Sequence, residues 1–274
     1  MEGPLKLTEL IKNKGKFSYS FEVTPYVSEE DIDNLKVDPV FFSVTWHAKT
    51  HKCANLSIDP IRTACLLRRK QKHVLLHLSC DMMKATFLEN LLILLQEYNI
   101  CNLFLVLGER YDPENSDFKR TSEMIKFIRE KTGNYFCIGI AGFPGCSNEK
   151  LSQIKDKINN GANFILTQAF YNVDAFQHLK NVIDKMGLDV PVIPGFFPFE
   201  SPEQVEGFLK MCKVKVPDGF LEATLTKESM NKLSTDIIKL MISNCNTTHF
   251  HFFTVNEFEN VQKIIEEINR LFIF

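Results

Sequence analysis

Four polar side chains stand out because each sits in or beside a run otherwise made for burial. Glu22 lies in SFEVTP, His77 in HVLLHLS, Glu109 closes CNLFLVLGE, and Gln168 follows FILT. A carboxylic acid in apolar surroundings holds its proton more tightly and can donate it near neutrality. That is the chemical reading of Glu22; the competing one is a strand-end acid that accepts hydrogen bonds from backbone or lysine. Glu109 could pair with its neighbour Arg110, or it could tune a redox ring or stabilise a developing cation. Gln168 carries an amide that must be hydrogen-bonded if buried, and a ligand is one candidate partner. His47, His51 and Cys53, with His77 and Cys80, invite a zinc reading. Their H-x₃-H-x-C spacing matches no established metal motif, so no metal is expected. The HFHFF run at 249–253 alternates imidazole with phenyl and reads as buried wall. No GxGxxG follows a strand and no GxxxxGK[ST] occurs, which gives a Rossmann site or a P-loop no support.

Eight short runs could carry these side chains. They span 17–25, 40–46, 73–79, 101–108, 135–144, 164–170, 191–197 and 248–255, and most are nearly continuous in apolar character. Strands buried on both faces read this way, and such strands are usually parallel. Between them lie stretches of helical period at 61–71, 85–99, 122–132, 149–161, 173–187 and 202–212. An extra helical stretch at 227–244 precedes the last strand. Ser28 before Glu29, Glu30 and Asp31 suits a helix start, and Gly161 and Gly187 fall where helices should stop. Eight strand–helix units predict an α/β fold, a single (β/α)₈ barrel over residues 1–274 with no regulatory domain. A doubly wound open sheet is the alternative. In a barrel the site lies at the C-terminal ends of the strands, where Glu22, Thr45, His77, Glu109, Phe143, Gln168 and the 195–199 loop fall.

Composition narrows the class. Lys plus Arg is 32 and Asp plus Glu is 34, a net charge of −2, so a basic nucleic-acid surface is not expected. No apolar run approaches the roughly 20 residues that span a bilayer. The opening MEGPLKLTELIKNKGK has no apolar core of leader length. The eight cysteines form no CxxC pair, and the chain reads as reduced and cytoplasmic.

Six ordered blocks then carry a resemblance: SFEVTP, FFSVTW, HLSC, NGANFILTQAF, PVIPGFFP and HFHFFTVN. In order and spacing they are similar to the methylenetetrahydrofolate reductase family, from about Phe17 to Phe272. The resemblance implies a (β/α)₈ barrel that binds FAD at the mouth, takes a hydride from NAD(P)H, and reduces 5,10-methylenetetrahydrofolate to 5-methyltetrahydrofolate in one-carbon and methionine metabolism. It implies that Glu22 is the acid and that Glu109 sits near the flavin ring. Thr45, Trp46, Ala48, His77, Gly108, Thr121, Phe143 and Lys157 fall at its cofactor positions. Gln168, Gln204 and Phe208 fall at its substrate positions. A folate is the expected partner, with self-association possible. The chain also departs from the family pattern. Leu107 replaces a cofactor-contacting Arg, Ser147 a His, and Lys150 an Asp; Phe143 lacks a hydroxyl, and Glu257 replaces a substrate-side Arg. The pattern therefore allows a second endpoint, a barrel that has lost FAD and binds folate or a protein partner.

Overall fold

The computed structural model describes residues 4–14, 17–53, 55–108, 111–199, 201–212, 216, 219–222 and 226–271. Its centre is one all-parallel sheet. The strands are β1 (Ser18–Val23), β2 (Phe42–Val44), β3 (Val74–Ser79), β4 (Asn102–Val106), β5 (Cys137–Gly142), β6 (Phe164–Thr167), β7 (Val192–Ile193), β8 (Gly195–Phe196) and β9 (His249–Phe252). Their order runs β7-β6-β5-β4-β3-β2-β1-β9-β8.

The nine strands make eight staves. Pro194 separates β7 from β8, since it has no N–H to give a ladder. Ile165 pairs with Val192 on one side, and Gly195 pairs with His251 on the other. The Pro194 carbonyl still accepts from His251 N at 2.9 Å. One interrupted stave thus joins the two ends of the sheet and closes the barrel. Gly195 permits the closure: a Cβ there would meet the Thr167 carbonyl at 2.3 Å and the Phe253 ring at 2.6 Å. This is the (β/α)₈ barrel expected from the sequence.

Helices wrap the sheet: α1 (Leu7–Lys14), α2 (Glu29–Asp33), α3 (Ala48–His51), α4 (Asp59–Arg69), α5 (Ala85–Glu97), α6 (Thr121–Thr132), α7 (Asn148–Asn159), α8 (Val173–Lys185), α9 (Pro202–Cys212), α10 (Lys227–Cys245) and α11 (Glu259–Leu271). Ser28 caps α2 in a reciprocal capping box with Asp31. The sequence reading missed α1 and α11. Helix α1 covers the N-terminal end of the barrel. Leu7 is buried in one cluster with Phe41, Leu75, Phe104 and Phe164, and its amide donates to Asn102 Oδ1 at 2.8 Å.

Strand alternation sorts side chains into two cores. Phe21, Val23, Phe250 and Phe252 face the helices in the large outer core. Ser18, Ser20 and Glu22, on the other face of β1, point into the barrel. The alternating His and Phe of β9 divide the same way: His249 and His251 face inward and their phenyl neighbours outward.

Candidate active site

The barrel interior holds a ladder of hydroxyls and imidazoles. Ser18 Oγ lies 2.8 Å from His249 Nδ1, Ser20 Oγ lies 3.1 Å from His249 Nε2, and Ser20 Oγ lies 2.8 Å from His251 Nδ1. Phe41 stacks on both rings. Burial keeps these imidazoles neutral, pushing His249 down to about 3 and His251 well below its ordinary value.

One inward position above Ser20 stands Glu22, 7% exposed. Burial raises its pKa to about 7. Among the described residues no side chain pairs with its carboxylate. It is in register with Ser43 on β2, and Ser43 Oγ lies 2.6 Å from His77 Nε2 on β3. Three adjacent strands thus set an acid, a hydroxyl and an imidazole side by side on the inner wall. Burial pushes His77 to about 3, with His47 adding to the shift. Its ring packs on Phe104 at 4.8 Å. His77, Thr45, Val106, Gly108, Ala141, Gln168, Phe197 and Phe253 are each only partly buried near the C-terminal strand ends. They form the accessible floor and wall of the mouth.

The rim is apolar. Tyr26, Leu107, Phe143 and Val255 are exposed on loops that follow β1, β4, β5 and β9. Lys150, in the first turn of α7, lies over the Phe143 ring at 4.4 Å. Lys157, two turns on, is partly buried and pairs with no carboxylate among the described residues. Burial lowers its pKa, the approach of Cys80 and Asp156 opposes this, and Lys150 adds to it.

Other sequence-selected residues fall in different surroundings. Trp46 is buried in the outer core, edge-on to Phe87 of α5. Ala48 is buried at the start of α3, and Thr121 at the start of α6 against Cys80. Gln168 Oε1 accepts from the Ala169 amide at 3.2 Å. Gln204 is exposed on α9. Phe208 is buried and stacked on Phe197 at 4.6 Å, within a cluster that includes Tyr171 and Phe199. Glu109 lies outside the described residues. His47, His51 and Cys53 do not converge: among the described residues no three His, Cys, Asp or Glu side chains could hold a metal ion.

Two residues beside the sequence-selected ones escaped the sequence reading. Ser43 is one of many buried serines, and nothing marks it until the register sets it between Glu22 and His77. Asp81 is buried directly after β3; its one signal was a charge immediately following an apolar strand.

The fold and the mouth define a (β/α)₈ barrel protein with a buried acid at the C-terminal end of its first strand. The chain belongs to the methylenetetrahydrofolate reductase family, whose family model matches residues 6–269. It is 26% identical over 302 residues to methylenetetrahydrofolate reductase 2 of Saccharomyces cerevisiae, covering 97% of this chain and 50% of that protein. It is 28% identical over 288 residues to a probable methylenetetrahydrofolate reductase (NADH) of Oryza sativa, covering 88% and 46%. It is also 26% identical to the 5,10-methylenetetrahydrofolate reductase of Buchnera aphidicola, covering 89% and 88%. The chain thus spans about half the length of the yeast and rice relatives. Among solved structures, oxaloacetate acetylhydrolase aligns over 98% of this chain and 87% of its own with a TM-score of 0.57 and 11% identity. That likeness shows the barrel fold alone. Among the described residues no helix is long and apolar enough to cross a membrane.

Proposed function

We propose that this chain reduces 5,10-methylenetetrahydrofolate to 5-methyltetrahydrofolate with NAD(P)H and FAD. The observation that carries the reading is Glu22: a buried acid, raised to about 7, at the C-terminal end of its strand, with no countercharge among the described residues. The substrate's five-membered ring must open before its one-carbon unit can accept a hydride. Proton donation from Glu22 to the folate nitrogen N10 breaks one C–N bond and leaves an electrophilic iminium. An acid near 7 is about half protonated at neutral pH, close to the best compromise between being charged with a proton and being able to release it.

Several features of the mouth support a flavin. An exposed apolar rim suits a planar ring, and His77 offers a polar edge on the floor. Lys157, partly buried and with no carboxylate partner among the described residues, suits a phosphate. Gly108 lets the main chain after β4 pack against Asp81 and Ser79. FAD, when bound, supplies the hydride. Thr45, the main chain of Trp46 and Ala48, His77, Gly108, Glu109, Thr121, Phe143 and Lys157 would hold it. Gln168, Gln204 and Phe208 would hold folate, which requires Phe208 to exchange its stacking partner Phe197 for the pterin. Relatives named for NADH and for NADPH support a nicotinamide reductant in general terms.

Purified protein carrying flavin near one per chain, and oxidising NAD(P)H when given methylenetetrahydrofolate, is the expected result. Colourless protein that ignores added FAD sinks the reading. A second reading has one observation in its favour. Leu107, 40% exposed at the rim, offers no charge where the family has an arginine. A folate-binding barrel without flavin predicts thermal stabilisation by folates and none by FAD.

A further inference from the structure

Asp81 follows β3 with a carboxylate that is 2% exposed. Its Oδ1 is shared by two loops. Lys49 Nζ, from α3 after β2, lies 3.4 Å away. The main-chain amide of Asp112, in the loop after β4, donates to the same oxygen at 3.0 Å. The Asp81 amide donates to the Leu107 carbonyl at 3.0 Å and to the Ser79 hydroxyl at 3.1 Å. That hydroxyl donates to the Leu107 carbonyl at 3.2 Å. Gly108, at φ +111°, leans on the same spot: a Cβ there would lie 2.7 Å from both Asp81 Cβ and Ser79 Oγ. These contacts tie Leu107, Gly108 and Asp112 to the end of β3. Beyond them, Ser116 Oγ donates to the Asp112 carbonyl at 2.7 Å and accepts from Met82 N at 2.9 Å.

Lys49 is 47% exposed, so the ion pair contributes little to overall stability. Its significance is where it acts. A buried carboxylate that loses a partner carries an uncompensated cost, so each loop has its energy lowered by the other being in place.

We propose that Asp81 is a positioning residue that locks the loop after β2 to the loop after β4, so that a ligand in the mouth meets both in one fixed arrangement. The geometry stands by itself; the consequence for flavin rests on the function proposed above. It concerns the two loops that carry Ala48 on one side and Gly108 and Glu109 on the other.

Hydrogen–deuterium exchange on the ligand-free protein tests the lock without any cofactor. Asp81→Ala should speed exchange in segments 47–53 and 111–117 together. Asp81→Asn keeps an acceptor for the Asp112 amide and removes the charge facing Lys49. It should therefore speed 47–53 more than 111–117, as should Lys49→Met, and the double variant should match either single one. These two variants carry the test if Asp81→Ala does not fold. FAD binding, read by flavin fluorescence, should weaken about tenfold in Asp81→Ala and should also weaken in Asp81→Asn and Lys49→Met, each of which releases the loop after β2. Unchanged exchange in both segments, or additive effects in the double variant, overturns the proposal. Unchanged FAD affinity in Asp81→Ala overturns its ligand consequence. A wild-type protein that binds no FAD, with both segments loosening together, overturns the flavin reading and leaves the lock standing.

Discussion

The Thr254 hydroxyl donates a 2.5 Å hydrogen bond to the main-chain carbonyl of Glu22, a residue 232 positions earlier in the chain. Two positions on, Asn256 Oδ1 accepts from the Thr24 amide at 2.8 Å, and its Nδ2 donates to the Thr24 hydroxyl at 2.7 Å. The segment after the last stave therefore fastens the exit of the first stave at the acid and two residues beyond it. Closing the barrel and placing the buried acid are one event. Thr254→Val, which keeps the shape and removes the donor, should cost about 1–2 kcal/mol of stability in urea unfolding. Under the proposed function it should lower kcat more than it raises KM.

Glu22→Gln separates chemistry from folding. The variant should keep flavin binding and NAD(P)H oxidation by an artificial acceptor, while methylenetetrahydrofolate reduction falls about 10²–10⁴-fold. Equal loss in both half-reactions would refute the acid role. In the wild type, folate reduction should decline as pH rises through about 7, where Glu22 gives up its proton.

The same substitution has a stability signature. Glu22 is raised from 4.5 to about 7 on folding, so the folded state holds the proton more tightly than the unfolded one. Below about pH 4.5 both states are protonated and nothing is lost. As pH climbs from there to about 7, the unfolded state ionises first and wild-type stability drops, by at most ~3 kcal/mol. Glu22→Gln should remove that drop, so its advantage over wild type should appear above pH 4.5 and level off past 7. Parallel urea curves at pH 5 and pH 8 would show it.

The imidazoles respond in the opposite sense. His249 and His77 are held near 3 by burial, and His251 is also pushed down. Their folded forms stay neutral while unfolded ones take protons below about 6.5, so stability should fall as pH drops from 6.5 toward 3. His249→Gln keeps hydrogen-bonding groups for Ser18 and Ser20 and cannot be charged. It should reduce this acid sensitivity, measured as the slope of unfolding free energy between pH 6 and pH 4.

Val255, beside Thr254, holds φ at +50°, a conformation a β-branched residue rarely adopts. It is exposed, so little packing offsets the strain. Val255→Asn should raise stability by about 0.5–1 kcal/mol. It would also make the apolar rim more polar, so FAD affinity measured alongside reports whether that rim is used.

The sequence alone disclosed the staves, because buried parallel strands are nearly unbroken apolar runs and their spacing leaves room for one helix each. It also picked out Glu22, since an acid inside SFEVTP is chemically out of place. Helix α1 eluded it because so short a polar stretch shows its apolar face only against the barrel floor. Only the closed barrel revealed that Ser43, in register with Glu22, bonds His77 and that Asp81 ties two loops. Such pairings depend on strand register and loop packing between residues tens to hundreds of positions apart, and residue type carries no trace of them. Sequence chose the chemical groups; closure of the sheet decided which of them touch.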